Sequence, residues 1–186
     1  MAAPARSDLE PGGRERVWTV DDPDLPEKGW DVVDGRLHRQ PMTTNRHDTL
    51  SGRLVVALAA QLPPGWEPVG PFMLRLGSDV RVPDAGVVRR PPTASPPLQN
   101  GFDPVDVALA VEVVSPGSRK TDRLFKPAEY AEAGVLAYWR VETEPEVVVH
   151  VHRLVDGAYR AVQQVRGVEQ VEDPFALVLD VAALDD

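Results

Sequence analysis

One stretch of the 186-residue chain limits its possible folds more than any other: Val107 to Glu142, VALAVEVVSPGSRKTDRLFKPAEYAEAGVLAYWRVE. It opens with a short, β-branched-rich run, Val107 to Val114, that fits a strand buried on both faces, as in the middle of a mixed or parallel sheet. Ser115-Pro116-Gly117-Ser118 then punctuates the chain. Residues 119 to 134 read as a helix that Gly134 terminates, and Val135 to Val141 reads as a second strand. Strand, turn, helix, strand is a βαβ unit, whose two strands should be parallel neighbours joined by a right-handed crossover. One charge, Glu112, interrupts the first strand. A carboxylate there loses hydration, so it must be paired, hydrogen-bonded, metal-bound or placed at the strand's accessible end. Asp122 and Lys126 lie four apart on the predicted helix and share a face.

Around this unit the chain reads as alternating short elements. Residues 1 to 28, rich in proline, glycine and acid, read as a mobile tail, and residues 29 to 186 as a single domain. Asp34-Gly35 marks a two-residue hairpin between Trp30–Val33 and Arg36–Arg39. Thr43-Thr44 can cap a helix whose Leu50, Leu54, Leu58 and Leu62 recur every four residues until Pro63-Pro64-Gly65. Strands are predicted at Trp66 to Val69, Phe72 to Leu76 and Val80 to Val88. The last contains Val82-Pro83-Asp84, and a proline inside a strand implies an edge, a bulge or the strand's accessible end, where a following acid can face a cleft. Residues 89 to 104 form a proline-rich loop, either a flap or an insertion. Glu146 to Leu154 and Tyr159 to Val165 flank a second hairpin turn, Asp156-Gly157, and Phe175 to Val181 is a final strand.

Composition narrows the function. The chain has no cysteine, so thiolate chemistry and disulfides are excluded. The longest apolar run, Leu54 to Ala60, is far short of a membrane span, and no apolar leader is visible, so a cytoplasmic setting is expected. The net charge of −9 argues against a general nucleic-acid binder, but the acid lies at the two ends. Residues 36 to 140 are mildly basic. Arg119, Lys120 and Arg123 crowd one segment near Glu112 and make a candidate nucleic-acid contact.

An acid after proline, Asp84, a second acid in a buried neighbouring strand, Glu112, and a nearby lysine can together perform metal-assisted phosphodiester hydrolysis. Two carboxylates hold a hard divalent ion through oxygen, and an ammonium orients the attacking water or offsets charge in the transition state. At Pro83-Asp84, Val111 to Pro116, Asp122 with Lys126, Tyr130-Ala131, Ala133 to Val135 and Tyr138-Trp139 the chain resembles the PD-(D/E)XK nuclease superfamily, and within it the Uma-two family of restriction-endonuclease-like proteins. The resemblance covers roughly residues 29 to 182. It implies an α/β fold with a restriction-endonuclease-like mixed central sheet flanked by helices. It further implies a Mg²⁺- or Mn²⁺-dependent endonuclease acting on nucleic acid, with DNA the expected polymer. Asp84, Glu112 and the backbone carbonyl of Val113 are then the metal ligands and Lys126 the catalytic lysine. Asp31, His47, Ser115 and Asp122 are supporting residues. Two departures stand out. Val114 occupies the usual lysine position two after the acid, and Asp31 replaces a glutamate. Pro127 also implies that the helix begins near Lys126.

Plainer readings compete. Asp84 alone fits a turn acid, and Asp122 with Lys126 fits a solvated i,i+4 ion pair. His150 and His152 read as an ordinary strand face, and Tyr138-Trp139 as core. The broken lysine motif and the acidic total also fit an alternative, a catalytically inactive nuclease-fold module that binds nucleic acid or a protein partner. Edge strands near the C-terminal hairpin suggest a homodimer.

Overall fold

The computed structural model of the protein describes residues 16–26, 29–90, 101–115 and 117–185. In chain order these form β1 (Trp30–Val33), β2 (Arg36–Arg39), α1 (Asn45–Ala59), β3 (Trp66–Val69), β4 (Leu74–Leu76), β5 (Asp79–Arg81), β6 (Ala85–Arg89) and β7 (Val107–Val113). After these come α2 (Lys126–Glu132), β8 (Ala137–Glu142), β9 (Val148–Val155), β10 (Ala158–Val165), β11 (Val168–Val171), β12 (Leu177–Asp180) and α3 (Ala182–Asp185). The main sheet has the order β10-β9-β8-β7-β6-β3, a second has β2-β1-β5-β4, and β11 pairs with β12. Only β7 and β8 run parallel in the main sheet, so it is mixed, as the βαβ reading requires. Among the described residues no helix is long and apolar enough to cross a membrane.

All seven residues of β7 are buried, because helices cover both faces of the strand. The period of two separates its side chains. Leu109, Val111 and Val113 join Leu50, Leu54 and Leu58 of α1 in one core, while Ala110 joins Tyr130 and Tyr138 on the other side. Glu112 therefore faces α2. Helix α1 begins where expected, its Thr44 hydroxyl accepting from the His47 N–H at 3.2 Å. Both hairpin turns are of the predicted kind, with positive φ at Asp34, Gly35, Asp156 and Gly157.

Three expectations are corrected. The strand predicted over Val80 to Val88 is two strands in two sheets: β5 ends at Arg81, and β6 starts at Ala85 in the main sheet. Pro83 cannot donate to a ladder, so the chain leaves one sheet there and joins the other, where the Asp84 N–H donates to the Val111 carbonyl at 3.0 Å. The helix predicted over 119 to 134 is present over residues 119–132, but its middle, Thr121–Phe125, takes the π register before α2. In the π register Pro127 would donate to the Asp122 carbonyl but has no N–H, and the Tyr138 hydroxyl donates to that carbonyl instead at 2.5 Å. Finally, part of the stretch expected as a tail, residues 16–26, is packed on the domain. Trp18 and Val20 are buried with Val32, Val80 and Val82, and their N–H groups donate to Gly35 and Ser78 carbonyls. Residues 1–15 and the middle of the proline-rich loop, 91–100, lie outside the described residues, and β11 and α3 were not anticipated.

Candidate active site

Asp84 stands at the entrance to β6, one residue before Ala85, which pairs with Val111 of β7. Beyond the effect of burial, the Asp84 carboxylate is close enough to Glu112 for its negative charge to raise the Glu112 pKa. The backbone of Asp84 is tied down twice, by its N–H to Val111 and by the Ser51 hydroxyl, which donates to its carbonyl at 2.8 Å. Its Oδ2 accepts from the Val113 N–H at 2.8 Å and lies 3.1 Å from Nε2 of His47. Among the described residues nothing donates to Oδ1, and the side chain is 20% exposed. Fixed main chain and an engaged Oδ2 leave Oδ1 as the open ligand position.

Glu112 is buried, 1% exposed, and both its oxygens are satisfied. The Lys126 ammonium donates to Oε2 at 2.7 Å and the Tyr130 hydroxyl to Oε1 at 2.6 Å. Lys126 and Tyr130 are four apart and present the same face of α2 to the sheet. The ammonium also lies 3.2 Å from Oδ1 of Asp122, an ion-pair distance without hydrogen-bond alignment, so that buried oxygen receives no hydrogen bond. Burial opposes the charge on Lys126, but Glu112, Asp122 and Asp31 outweigh it, and the amine stays protonated above its ordinary range. Burial pushes the Glu112 carboxyl well up, with Lys126 acting against it, and likewise raises Asp122. The Tyr130 phenol is raised by burial and then by Glu112, so it remains a donor. For His47, burial disfavours the cation, yet Asp84 and Asp48 more than compensate and its pKa is raised.

Asp84, Glu112, Lys126, Asp31, His47, Ser115 and Asp122 all line one cleft of about 520 Å³. Residues separated by up to 95 positions thus meet where the two sheets adjoin. Val113 contributes its N–H to Asp84; its expected role was through the carbonyl. Asp31 accepts from Gln40 at 3.0 Å, from the Val82 N–H at 3.2 Å and from Arg81 at 3.1 Å. Ser115 pairs with the Ser118 hydroxyl at 2.9 Å and borders the π-turn. Arg119, Lys120 and Arg123 do not line the cleft. Arg119 is paired with Glu144 and Arg123 is forked onto Glu142, and both guanidinium side chains remain about half exposed. His152 packs on Tyr138 as a strand-face residue.

Sequence reasoning did not find Arg81, Glu129 or Gln40. Arg81 forks onto Glu129 with two bonds of 2.6 Å while holding Asp31, and so clamps β5 and β1 to α2. No local signal marks it, because its partners are 48 and 50 residues away. Tyr130 carried a signal, its spacing of four from Lys126.

The open donor at the centre is an oxygen, Oδ1 of Asp84, and this chemistry fits a hard divalent ion. Among the described residues no three His, Cys, Asp or Glu side chains form a ready-made ligand cluster. An ion that keeps several waters and takes one or two carboxylates needs no such cluster.

Comparison with known proteins agrees with the architecture. Residues 19–182 match the family Uma2, described as "Putative restriction endonuclease". A crystal structure from Anabaena variabilis, described as a putative nuclease belonging to DUF820, superposes with a TM-score of 0.70 at 20% identity, over 89% of this chain and 96% of that one. No curated protein matches. At that identity the structural likeness establishes the shared fold, and the family match runs from residue 19 through the last strand. The chain belongs to the Uma2 family.

Proposed function

We propose that the protein is a divalent-metal-dependent endonuclease that hydrolyses phosphodiester bonds, with DNA as its polymer. The observation that carries this reading is the convergence of Asp84, Glu112 and the Lys126 ammonium, 2.7 Å from Glu112, in one cleft. Asp84, through Oδ1, and Glu112 would hold Mg²⁺ or Mn²⁺, with the Val113 carbonyl as a further oxygen. Such an ion, when bound, acidifies water and stabilises charge on phosphoryl oxygens. The chain's own groups do the rest. His47 and the Val113 N–H fix the Asp84 carboxylate, and Tyr130 fixes Glu112. Lys126, kept cationic by three acids, would orient a water or offset charge accumulating on the phosphate.

Purified protein should nick plasmid DNA with Mg²⁺ or Mn²⁺ and stop on chelation, and Asp84→Asn should lower the rate by roughly 10²-fold or more. Undiminished nicking by Asp84→Asn would refute the assignment. One observation favours a second reading, a nuclease-fold module that binds without cutting: both Glu112 oxygens are already occupied by Lys126 and Tyr130. Calorimetric titration separates the two. The second reading requires no Mg²⁺ or Mn²⁺ affinity together with salt-dependent DNA binding.

A further inference from the structure

The chain has four tryptophans, three tyrosines and four phenylalanines, and among the described residues only Phe125 is exposed. It is 50% exposed, ends the π-turn and lines the cleft. Leu124, beside it, is 62% exposed. A π-turn carries one more residue than an α-turn, and here the chain spends that irregularity next to the acids of the site. The Lys120 ammonium sits 5.5 Å from the Phe125 ring centroid, so the ledge combines an aromatic face with a cation. His38 and Arg39, exposed on β2, line the same cleft.

The electrostatics of the cleft select what can enter. Asp31, Asp34, Asp84, Glu112, Asp122 and Glu129 line it against Arg39, Arg81 and Lys126, and Arg81 and Lys126 are already paired with those acids. Without a bound divalent ion that interior repels a phosphate backbone, whereas an uncharged base is not repelled. The volume of about 520 Å³ is that of a small-molecule pocket, roughly 300–1,000 Å³, and not of a duplex. Base on aromatic, phosphate on rim cation is how single strands are held.

We propose that this rim binds an unpaired nucleotide of a DNA strand, its base stacked on Phe125 and its flanking phosphates met by Lys120 and Arg39. The proposal rests on the nuclease reading only for the kind of polymer. The substrate is then single-stranded DNA, a flap or a frayed end.

Fluorescence anisotropy with the full chain in EDTA measures binding apart from cleavage. A labelled single-stranded oligonucleotide should bind roughly tenfold or more tightly than the blunt duplex of the same sequence. Phe125→Ala should weaken single-strand binding by roughly five- to a hundredfold and leave duplex binding unchanged, while Phe125→Trp preserves it. Because Phe125 is half exposed, the alanine variant should keep the wild-type circular dichroism spectrum. Equal affinity for the two probes, or single-strand binding indifferent to Phe125→Ala, would overturn the proposal. Duplex nicking without single-strand preference removes the platform and leaves the nuclease. A Phe125-dependent preference in a protein that cuts nothing supports the platform and removes the nuclease.

Discussion

Removing the ammonium of Lys126 tests the buried charge network directly. Lys126→Met keeps most of the apolar stem but leaves Glu112, 1% exposed, without its cation. Breaking a buried, hydrogen-bonded ion pair by deleting one partner costs about 3–5 kcal/mol, because a lone charge stays in the interior. For a domain of this length each kcal/mol moves Tm by about 2–4 °C, so the single variant should melt about 6–20 °C lower. The double variant Lys126→Met/Glu112→Gln should regain part of the loss, since an uncharged amide still accepts from Tyr130 while buried Asp122, 3.2 Å from the lost ammonium, keeps its charge. The pH dependence has a definite sign. Burial raises the folded Glu112 pKa above its ordinary 4.5 and Lys126 opposes that rise, so losing Lys126 raises it further. A carboxyl with a raised folded pKa is penalised above its unfolded pKa, and the penalty fades as pH falls towards it. Urea denaturation should therefore show a larger deficit for Lys126→Met at pH 8 than at pH 5.5. A loss below about 1 kcal/mol, or a double variant no better than the single, would refute this account of the network.

Other perturbations give sharp expectations. Tyr130→Phe leaves Oε1 of Glu112 without its donor and should cost about 1–3 kcal/mol by urea denaturation. Arg81→Lys cannot reproduce the fork onto Glu129 while holding Asp31, so it should lower Tm and reduce nicking together, reflecting a displaced α2. Gly86→Ala sets a Cβ 2.5 Å from both the Leu109 carbonyl and the Phe72 ring, and should destabilise by about 1–3 kcal/mol. His150 and His152 both have pKa values held below the ordinary 6.5, by burial first and Arg140 second. A depressed histidine pKa removes stability as pH falls through 6.5 and below, so the double His150→Gln/His152→Gln variant should show a flatter acid limb in thermal melts.

The parts of the fold that were legible carry their signal within a few residues. The apolar run of β7, the glycine ending α2 and the two Asp-Gly hairpins each announce themselves locally, and the parallel pairing of β7 with β8 follows from the helix between them. Glu112 was legible because a lone charge in such a run has few places to go, and Asp84 because it follows Pro83. What failed depends on distant partners. Pro83 signals an interruption but not that the chain changes sheets there. Arg81 earns its position from Asp31 and Glu129, and nothing nearby foretells that pairing. Trp18 and Val20 sit among acids and prolines that read as tail, and only β1 and β5 explain their burial. The π-turn has no compositional mark beyond Pro127, whose missing N–H is compensated by a tyrosine hydroxyl from β8. The ion pairs of Arg119 and Arg123 with Glu144 and Glu142 were likewise unannounced, because those acids lie beyond the crossover.

The passage from β5 to β6 occupies three residues, Val82 to Asp84. Arg81 looks into the cleft from one sheet and Asp84 from the other, so this bridge sets the phase between two independent ladders. Alternation along a strand has a period of two, and adding or deleting one residue here would turn either the clamp or the acid away from the cleft. Length changes belong instead in surface loops such as the one between β3 and β4. Drift in chain length should therefore be forbidden at this bridge even where the surrounding side chains are free to vary.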